Sequence, residues 1–440
     1  MTNKERLDLA EWIIKQSKKN GAQETAVSIY NSRNVELEFR DKKLDKLQES
    51  TQNSLNLQIY AEKKYSSHST NDLRKETLEK FVEEAVASTK YLTVDEFRTL
   101  PDPKYYPIGK PGDMHLFDET HPKIETSERV KIASMIEETA MSQSDQIISA
   151  TAGYSDSMYE SLRMHSNGFT GYSKGTVFSA GAEVTVNDKN GGRPEDWNYA
   201  TVRFFKDLPS LELLGKTAAE RALRKVGQKK IESGTYTMLV ENRAGSRLLG
   251  VFSGAMTARA IQQKASFLDG MLNKKIASEK LTVIDDPFIE KGMGSRSYDG
   301  EGIAAQKRVM IEKGVLKNYF VDNYYGRKIG MEPTTGSPSN LILEYGAKSF
   351  EDMIKDIKKG IIVNGFIGGN SNSTTGDFSF GIVGQLVENG QIVAPLNEMN
   401  ISGNAKDFWN KLVETGNDPY MYSSYRIPSF LFADVAFSGI

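Results

Sequence analysis

The chain has 440 residues, 38% apolar and 26% charged, a globular mixture long enough for more than one domain. Its 56 basic and 58 acidic residues nearly cancel to a net charge of −2, leaving no basic stripe to neutralise nucleic-acid phosphates. With no cysteine, disulfides, a thiolate nucleophile and a thiolate-held zinc are excluded.

The segment up to Gly21 is charged throughout and lacks the apolar stretch of a signal peptide. No run approaches the ~20 apolar residues of a membrane span, so the chain reads as cytoplasmic. Apolar spacing predicts a helix over 3–19, with Leu7, Ala10, Ile13 and Ile14 on one face. A second is predicted over 72–92 (Leu78, Phe81, Val82, Ala85) and a third over 127–142, opening at Ser127 (Ile132, Met135, Ile136, Ala140). The fourth follows Ser210, carries Leu211, Leu214, Ala218, Ala222 and Val226, and stops at Gly227. Between them lie two alternating, strand-rich stretches. Residues 25–68 contain AVSIY, VELEFRD and LNLQIYAEKKYSSHS; residues 147–205 contain IISATAGYS, ESLRMHSN, VFSAGAEVTVND and YATVRFF. Each reads as an antiparallel meander flanked by helices. The expectation is an N-terminal α+β domain over 1–228 with an internal duplication of 1–95 in 125–228, joined by a Pro-rich linker from Leu100 to Pro122.

From about residue 229 glycine becomes frequent, and residues 229–440 read as a β-rich C-terminal domain. Strands are expected at 235–241, 307–312, 315–320, 361–367, 379–388 and 391–396, with hairpin signals at Lys313-Gly314 and Asn389-Gly390. Helices are expected at 244–264, over 350–357 behind a Ser349/Asp352 capping box, and after Asn404, with Phe408, Trp409, Leu412 and Val413 inward and Gly416 closing it. Many short antiparallel strands among glycines suggest a curved, barrel-like sheet. The overall fold class is α+β.

Several features admit chemistry and a plainer reading. Gly171-Tyr172-Ser173-Lys174-Gly175 spells a G-x-S-x-G string, but it lies inside a predicted meander, where a glycine-rich hairpin turn explains it better than a nucleophile elbow. Asp285-Asp286 and Asp299 with Glu301 could face a hard cation, yet their neighbours suit strand ends and turns. The four histidines, His68, His115, His121 and His165, form no helical metal motif; His115 and His121 read as surface linker. The basic run Arg224–Lys230 reads as a solvated helix end. GFIGGNSNSTTGDFSFG (365–381) combines small, hydroxylated and aromatic residues around an acid, a composition suited to main-chain recognition of an extended peptide and equally to a wide turn. The candidate peptide- or partner-binding residues are Asn370, Thr375, Asp377 and Phe378. In this reading Phe378 and Phe380 place one aromatic in the core and neighbouring groups toward a cavity.

The runs SFLDGMLNKKIASEKLTVIDDPFIEKGMGSRSYDGEG (266–302), QKRVMIEKGVLKNYFVDNYYGRKIG (306–330), TTGDFSFG (374–381), EMNISGN (398–404) and TGNDPY (415–420) resemble the C-terminal half of the TldD/TldE (PmbA) family. The N-terminal half is similar in layout. The resemblance implies a two-domain α+β fold and a cytoplasmic TldD–TldE heterodimer that degrades or trims peptides. Relatives are linked to maturation of a ribosomally made antibiotic peptide and to modulation of DNA gyrase. In the TldD branch an H-E-x-x-x-H helix and a cysteine hold zinc. Here the corresponding helix reads AGSRLLGVFSGAM, so Gly250, Val251 and Ala255 stand where the two histidines and the glutamate would be.

This departure implies the metal-free TldE/PmbA branch. No catalytic or metal residue is carried over, no cofactor is expected in this chain, and zinc is expected only in a TldD-like partner. Gly250, Gly254 and Ala258 form a small-residue ridge that would let the helix approach a neighbour closely. The partners implied are a TldD-like zinc peptidase subunit, or a second copy of this chain, and unfolded or extended peptides; no membrane or nucleic acid is implied. A stand-alone peptide- or protein-binding module, homodimeric and without peptidase activity, is the alternative.

Overall fold

The computed structural model describes residues 1–109 and 112–440. Helix α1 (Asn3–Lys19) starts at a capping box between Thr2 and Glu5. It is followed by β1 (Glu24–Arg40), β2 (Lys43–Ala61), β3 (Lys64–Thr70) and α2 (Lys75–Thr89). After the linker the order recurs: α3 (Thr126–Met141), β4 (Ile147–His165), β5 (Thr170–Val186), β6 (Glu195–Val202) and α4 (Leu211–Leu223).

The two predicted meanders are one six-stranded sheet in the order β3-β2-β1-β4-β5-β6. They join because β1 and β4 pair antiparallel along their length, from Ala26 opposite His165 to Arg40 opposite Thr151. AVSIY and VELEFRD belong to one strand, as do IISATAGYS and ESLRMHSN. The polar residues between the first pair do not break the strand, and two of them find cross-strand partners: Asn31 bonds Asn53 at 2.8 Å and Arg33 bonds Glu49 at 2.7 Å. The hairpins turn at Asp41-Lys42 and Glu62-Lys63, all four at positive φ, a conformation usually signalled by glycine or asparagine.

All four helices cover one face of this sheet. α1 and α2 pack on Val27, Ile29, Leu55, Leu57, Ile59, Leu162 and Met164, and α3 and α4 on Leu37, Phe39, Ala152, Tyr154, Phe178, Ala180 and Ala182. Met135, expected inward on α3, is exposed, and Ala133 takes the inner place. The helix is capped by Glu125 rather than opened by Ser127. The linker lies between the sheet and a C-terminal segment: Thr176 donates to Leu116 O at 2.9 Å, Lys291 to Met114 O at 2.8 Å and Ala304 to Tyr105 O at 2.8 Å. His115 is exposed as expected, whereas His121 is not surface linker. It is fully buried, with Nε2 2.7 Å from Asp156, which also receives Arg129.

The C-terminal part comprises β7 (Gly234–Val240), α5 (Gly245–Ala255), α6 (Ala258–Gln262), β8 (Val283–Asp285), β9 (Arg308–Glu312), β10 (Val315–Leu316) and α7 (Asn323–Ile329). Then come β11 (Leu341–Leu343), α8 (Phe350–Lys355), β12 (Lys359–Ser371), β13 (Asp377–Glu388), β14 (Gln391–Asn404), α9 (Ala405–Phe408), β15 (Leu412–Thr415), β16 (Tyr425–Arg426) and β17 (Phe430–Ser438). One sheet runs β14-β13-β12-β7-β17-β15, and a further pairing of β14 with β17 closes five of its strands into a barrel. A smaller sheet, β10-β9-β8-β11-β16, lies beside it. The fold is therefore α+β with a curved, mostly antiparallel C-terminal sheet.

Lys313-Gly314 and Asn389-Gly390 turn at positive φ, as their sequence signals predict. The expected strand over 315–320 extends only to Leu316. The helix expected over 244–264 breaks at Met256, and Thr257 caps α6 through a 3.2 Å bond from Ala260 N–H. The last helix is short. Leu412 and Val413 lie in β15, Val413 is exposed, and Gly416 N–H bonds Ser429 O instead of closing a helix.

Candidate functional site

Helix α5 buries Leu248, Leu249, Val251, Phe252 and Ala255 in the barrel core. Its other face, Ser246, Arg247, Gly250 and Gly254, is open. A Cβ at Gly250 or Gly254 would meet nothing within 4 Å, so the expected ridge approaches no neighbour within this chain. Ala258 does not extend it, because the helix has ended and Ala258 is buried.

Family-type zinc does not fit here. Gly250 offers no donor, and Val251 and Ala255 point into apolar packing at 5% and 0% exposure, where a charged ligand set would be desolvated. Among the described residues no group of three or more His, Cys, Asp or Glu could hold a metal.

The loop between β12 and β13 stands beside this helix. β12 bulges at Gly368 and Gly369, both at positive φ, and a Cβ on Gly369 would sit 2.0 Å from Ser379 O; only glycine fits. Arg247 crosses from α5, donating to Gly369 O at 3.1 Å and lying over the Phe380 ring at 4.8 Å. Asn370 is exposed and pairs in register with Ser379. At the turn, Thr375 Oγ1 donates to Asp377 Oδ2 at 2.6 Å, and Asn404 Nδ2 bonds both Asp377 Oδ1 and Thr375 O at 2.9 Å. These bonds hold the Asp377 carboxyl below its ordinary pKa.

Gly376 rests against Phe267, whose ring lies 5.9 Å from Phe252 of α5. The two sequence candidates, the degenerate helix and the loop, thus share one end of the barrel.

Phe378 borders the groove beside the loop but is only 5% exposed. Residues two apart on a strand share a face, so Phe378 and Phe380 are both buried, 5.3 Å apart, with Phe408 5.0 Å from Phe378. What the loop presents is mostly polar: Asn370, Ser371, Asn372, Ser373, Asp377 and Ser379 line a shallow groove together with Phe378. Such a surface can hydrogen-bond a peptide backbone but carries no acid–base pair.

The other sequence candidates are structural. Gly171 to Gly175 lies inside β5, not in a turn; the rings of Tyr298 and Tyr159 occupy the space a Cβ would take at the two glycines, and Ser173 Oγ bonds Ser161 at 2.9 Å. Asp285 accepts from Ser339 N and Oγ, and Asp299 from the amides of Glu301, Ile303 and Gly336. Sequence reasoning missed the buried His121–Asp156–Arg129 cluster and the half-buried, desolvated setting of Glu301, which it read as a turn residue. Their partners lie far away along the chain, and no local pattern marks them.

Three family models cover most of the chain. Residues 25–89 match the PmbA/TldA metallopeptidase domain 1, residues 119–226 its central domain and residues 233–439 its C-terminal domain. The chain belongs to the PmbA/TldD family. It is 27% identical over 428 residues to the metalloprotease PmbA of Escherichia coli O157:H7, covering 96% of this chain and 93% of that protein. Among solved structures it resembles a putative modulator of DNA gyrase from Bacteroides thetaiotaomicron VPI-5482, with 42% identity, a TM-score of 0.97 and complete coverage of both chains. TldE from Thermococcus kodakarensis, 20% identical, shares the fold with a TM-score of 0.87 over 98% of this chain and 100% of that one. No helix among the described residues is long and apolar enough to cross a membrane.

Proposed function

We propose that this PmbA/TldD-family chain is the non-metal subunit of a TldD/TldE-type heterodimeric peptidase, contributing a wall of the peptide chamber while zinc resides in the partner. One observation carries the reading: α5, which the sequence resemblance aligns with the zinc-motif helix, has no ligand donors at Gly250, Val251 and Ala255 and leaves its small-residue face open. An open, close-approach face on an otherwise packed helix suits a partner's helix. The polar groove at Asn370 and Asp377 beside it suits an extended substrate backbone. Unfolded peptides are the substrate class, and the complex works in the cytoplasm.

The test is co-purification with an H-E-x-x-x-H chain from the same cell, followed by peptide hydrolysis by each chain alone and together. Hydrolysis only by the pair supports the reading. Chelator-sensitive cleavage by this chain alone overturns it, and saturable peptide binding without stimulated hydrolysis by any partner leaves a binding module.

A further inference from the structure

A cleft of about 1030 Å³ shares no residue with α5 or the β12–β13 loop. It opens beside β5 where the sheet runs out of strands. β6 pairs with β5 only from Phe178 to Thr185, so residues 170–177 of β5 have β4 on one side and no strand on the other. The direction of the backbone groups follows from one bond: Thr176 N–H donates away from β4, to Leu116 O of the linker, at 2.9 Å. Residues two apart on a strand point their N–H and C=O the same way, so Tyr172 and Lys174 present theirs along this edge. Among the described residues, no bond joins those groups to another segment outside the sheet ladder.

The far wall is the linker from Met114 to Thr120, held in place by Asp118, which accepts from Thr120 N–H and Phe205 N–H at 2.9 Å. Phe117, Tyr172, Phe204 and Tyr298 line the cleft. Its lining charges balance, Lys123, Lys174, Lys206 and Arg296 against Asp113, Asp118, Glu119 and Glu128, so it favours neither a polyanion nor a polycation. An unpaired strand edge calls for a partner strand. Apolar rings with balanced charge suit uncharged side chains alternating along it.

We infer that this cleft binds an extended peptide segment as an added strand on the free edge of β5 at Tyr172 and Lys174. Main-chain bonds to these two residues supply the affinity, and the aromatic walls take the side chains of one face. The site is independent of the subunit role proposed above and acts through this chain alone, holding an unfolded chain at a second point.

The probe is a blocked hexapeptide of alternating valine and threonine, titrated calorimetrically into the full chain with no partner present. Two N-methylated versions are compared with it, one methylated at the valines and one at the threonines. An added strand bonds through one edge, so one version weakens at least about tenfold and the other binds nearly as the parent. On the protein, Lys174→Pro removes an N–H that has no partner in the free chain, a change tolerated on edge strands; Lys174→Ala controls for the Glu119 ion pair. Binding is expected to survive in K174A and be lost in K174P with the melting temperature little changed. No binding of the parent peptide at millimolar concentration, equal effects of the two methylation patterns, or unaltered binding in folded K174P overturns the inference. If K174P does not fold, the two methylated peptides decide.

Discussion

Glu301 is half-buried near Arg163 with a single strong partner, the amide of Asn323 at 2.7 Å. Burial lifts its carboxyl to about 7; the charges of Asp299 and Asp322 push the same way, against the Asn323 amide and Arg163. A carboxyl raised on folding stabilises the protein while protonated. That contribution is fully present below the unfolded value near 4.5 and is lost as pH rises through about 7. Glu301→Gln keeps the group neutral, so its melting temperature should hold between about pH 5 and 8 where the parent's declines, with a gap above pH 7 on the order of a few kcal/mol. Parallel melting curves for the two proteins would mean that Glu301 is ionised without cost.

Asp377 is the opposite case, an exposed carboxylate held low by Thr375 and Asn404. Asp377→Ala should lower the melting temperature modestly, since those bonds fix the turn. It should lower hydrolysis by the assembled pair well beyond what that loss explains if the groove meets substrate. Losses in proportion would reduce Asp377 to a turn residue.

Helix α5 permits a test of what its open face is for. A glycine in a helix interior costs about 0.5–1 kcal/mol relative to alanine, and a Cβ at Gly250 meets nothing within 4 Å. Gly250→Ala should therefore stabilise the isolated chain by about that amount, read by denaturant titration. If a partner helix packs against this face, the same methyl should weaken assembly, measured by co-purification; unchanged assembly would place the partner elsewhere. The helix itself was expected, as were strands over 361–367 and 379–388 on either side of the loop, but β12 and β13 run further and take in Asn370, Asp377 and Phe378. The break at Met256 was not expected, because it depends on Ala258 N–H bonding Phe320 O at 2.8 Å, a contact between distant segments. Phe378 lies almost wholly in the core, bordering the groove, for a local reason: strand periodicity puts it on the same face as Phe380. Hairpins with asparagine- or lysine-glycine turns could be read directly, whereas Asp41-Lys42 and Glu62-Lys63 adopt the same backbone with residues that do not announce it.

At the scale of the molecule, alternation in the sequence revealed two meanders but not their union, because pairing β1 with β4 requires residues more than a hundred positions apart to find register. The same long-range logic joins the six-stranded sheet to the barrel. Arg221 of α4, 7% exposed, donates to Glu241 Oε1 at 2.6 Å just after β7 and to Asn364 O of β12 at 3.4 Å, and lies 3.5 Å from Asp196 of β6. Asn364 Nδ2 reaches the other Glu241 oxygen at 3.1 Å. One guanidinium thus bridges two half-buried carboxylates from the two parts of the molecule, Asp196 being shared with Lys225. Arg221→Ala leaves Asp196 its second cation, Lys225 at 3.1 Å, but strands Glu241, and removing one partner from a buried ion pair costs about 3–5 kcal/mol. Because that cost falls at the junction, calorimetry should convert a single unfolding transition of the parent into two in the variant, the barrel and the N-terminal sheet melting apart. Arg221→Met with Glu241→Met removes the stranded charge and should recover much of the lost stability. A variant that melts in one transition at the parent's temperature would show that apolar contacts alone couple the two sheets.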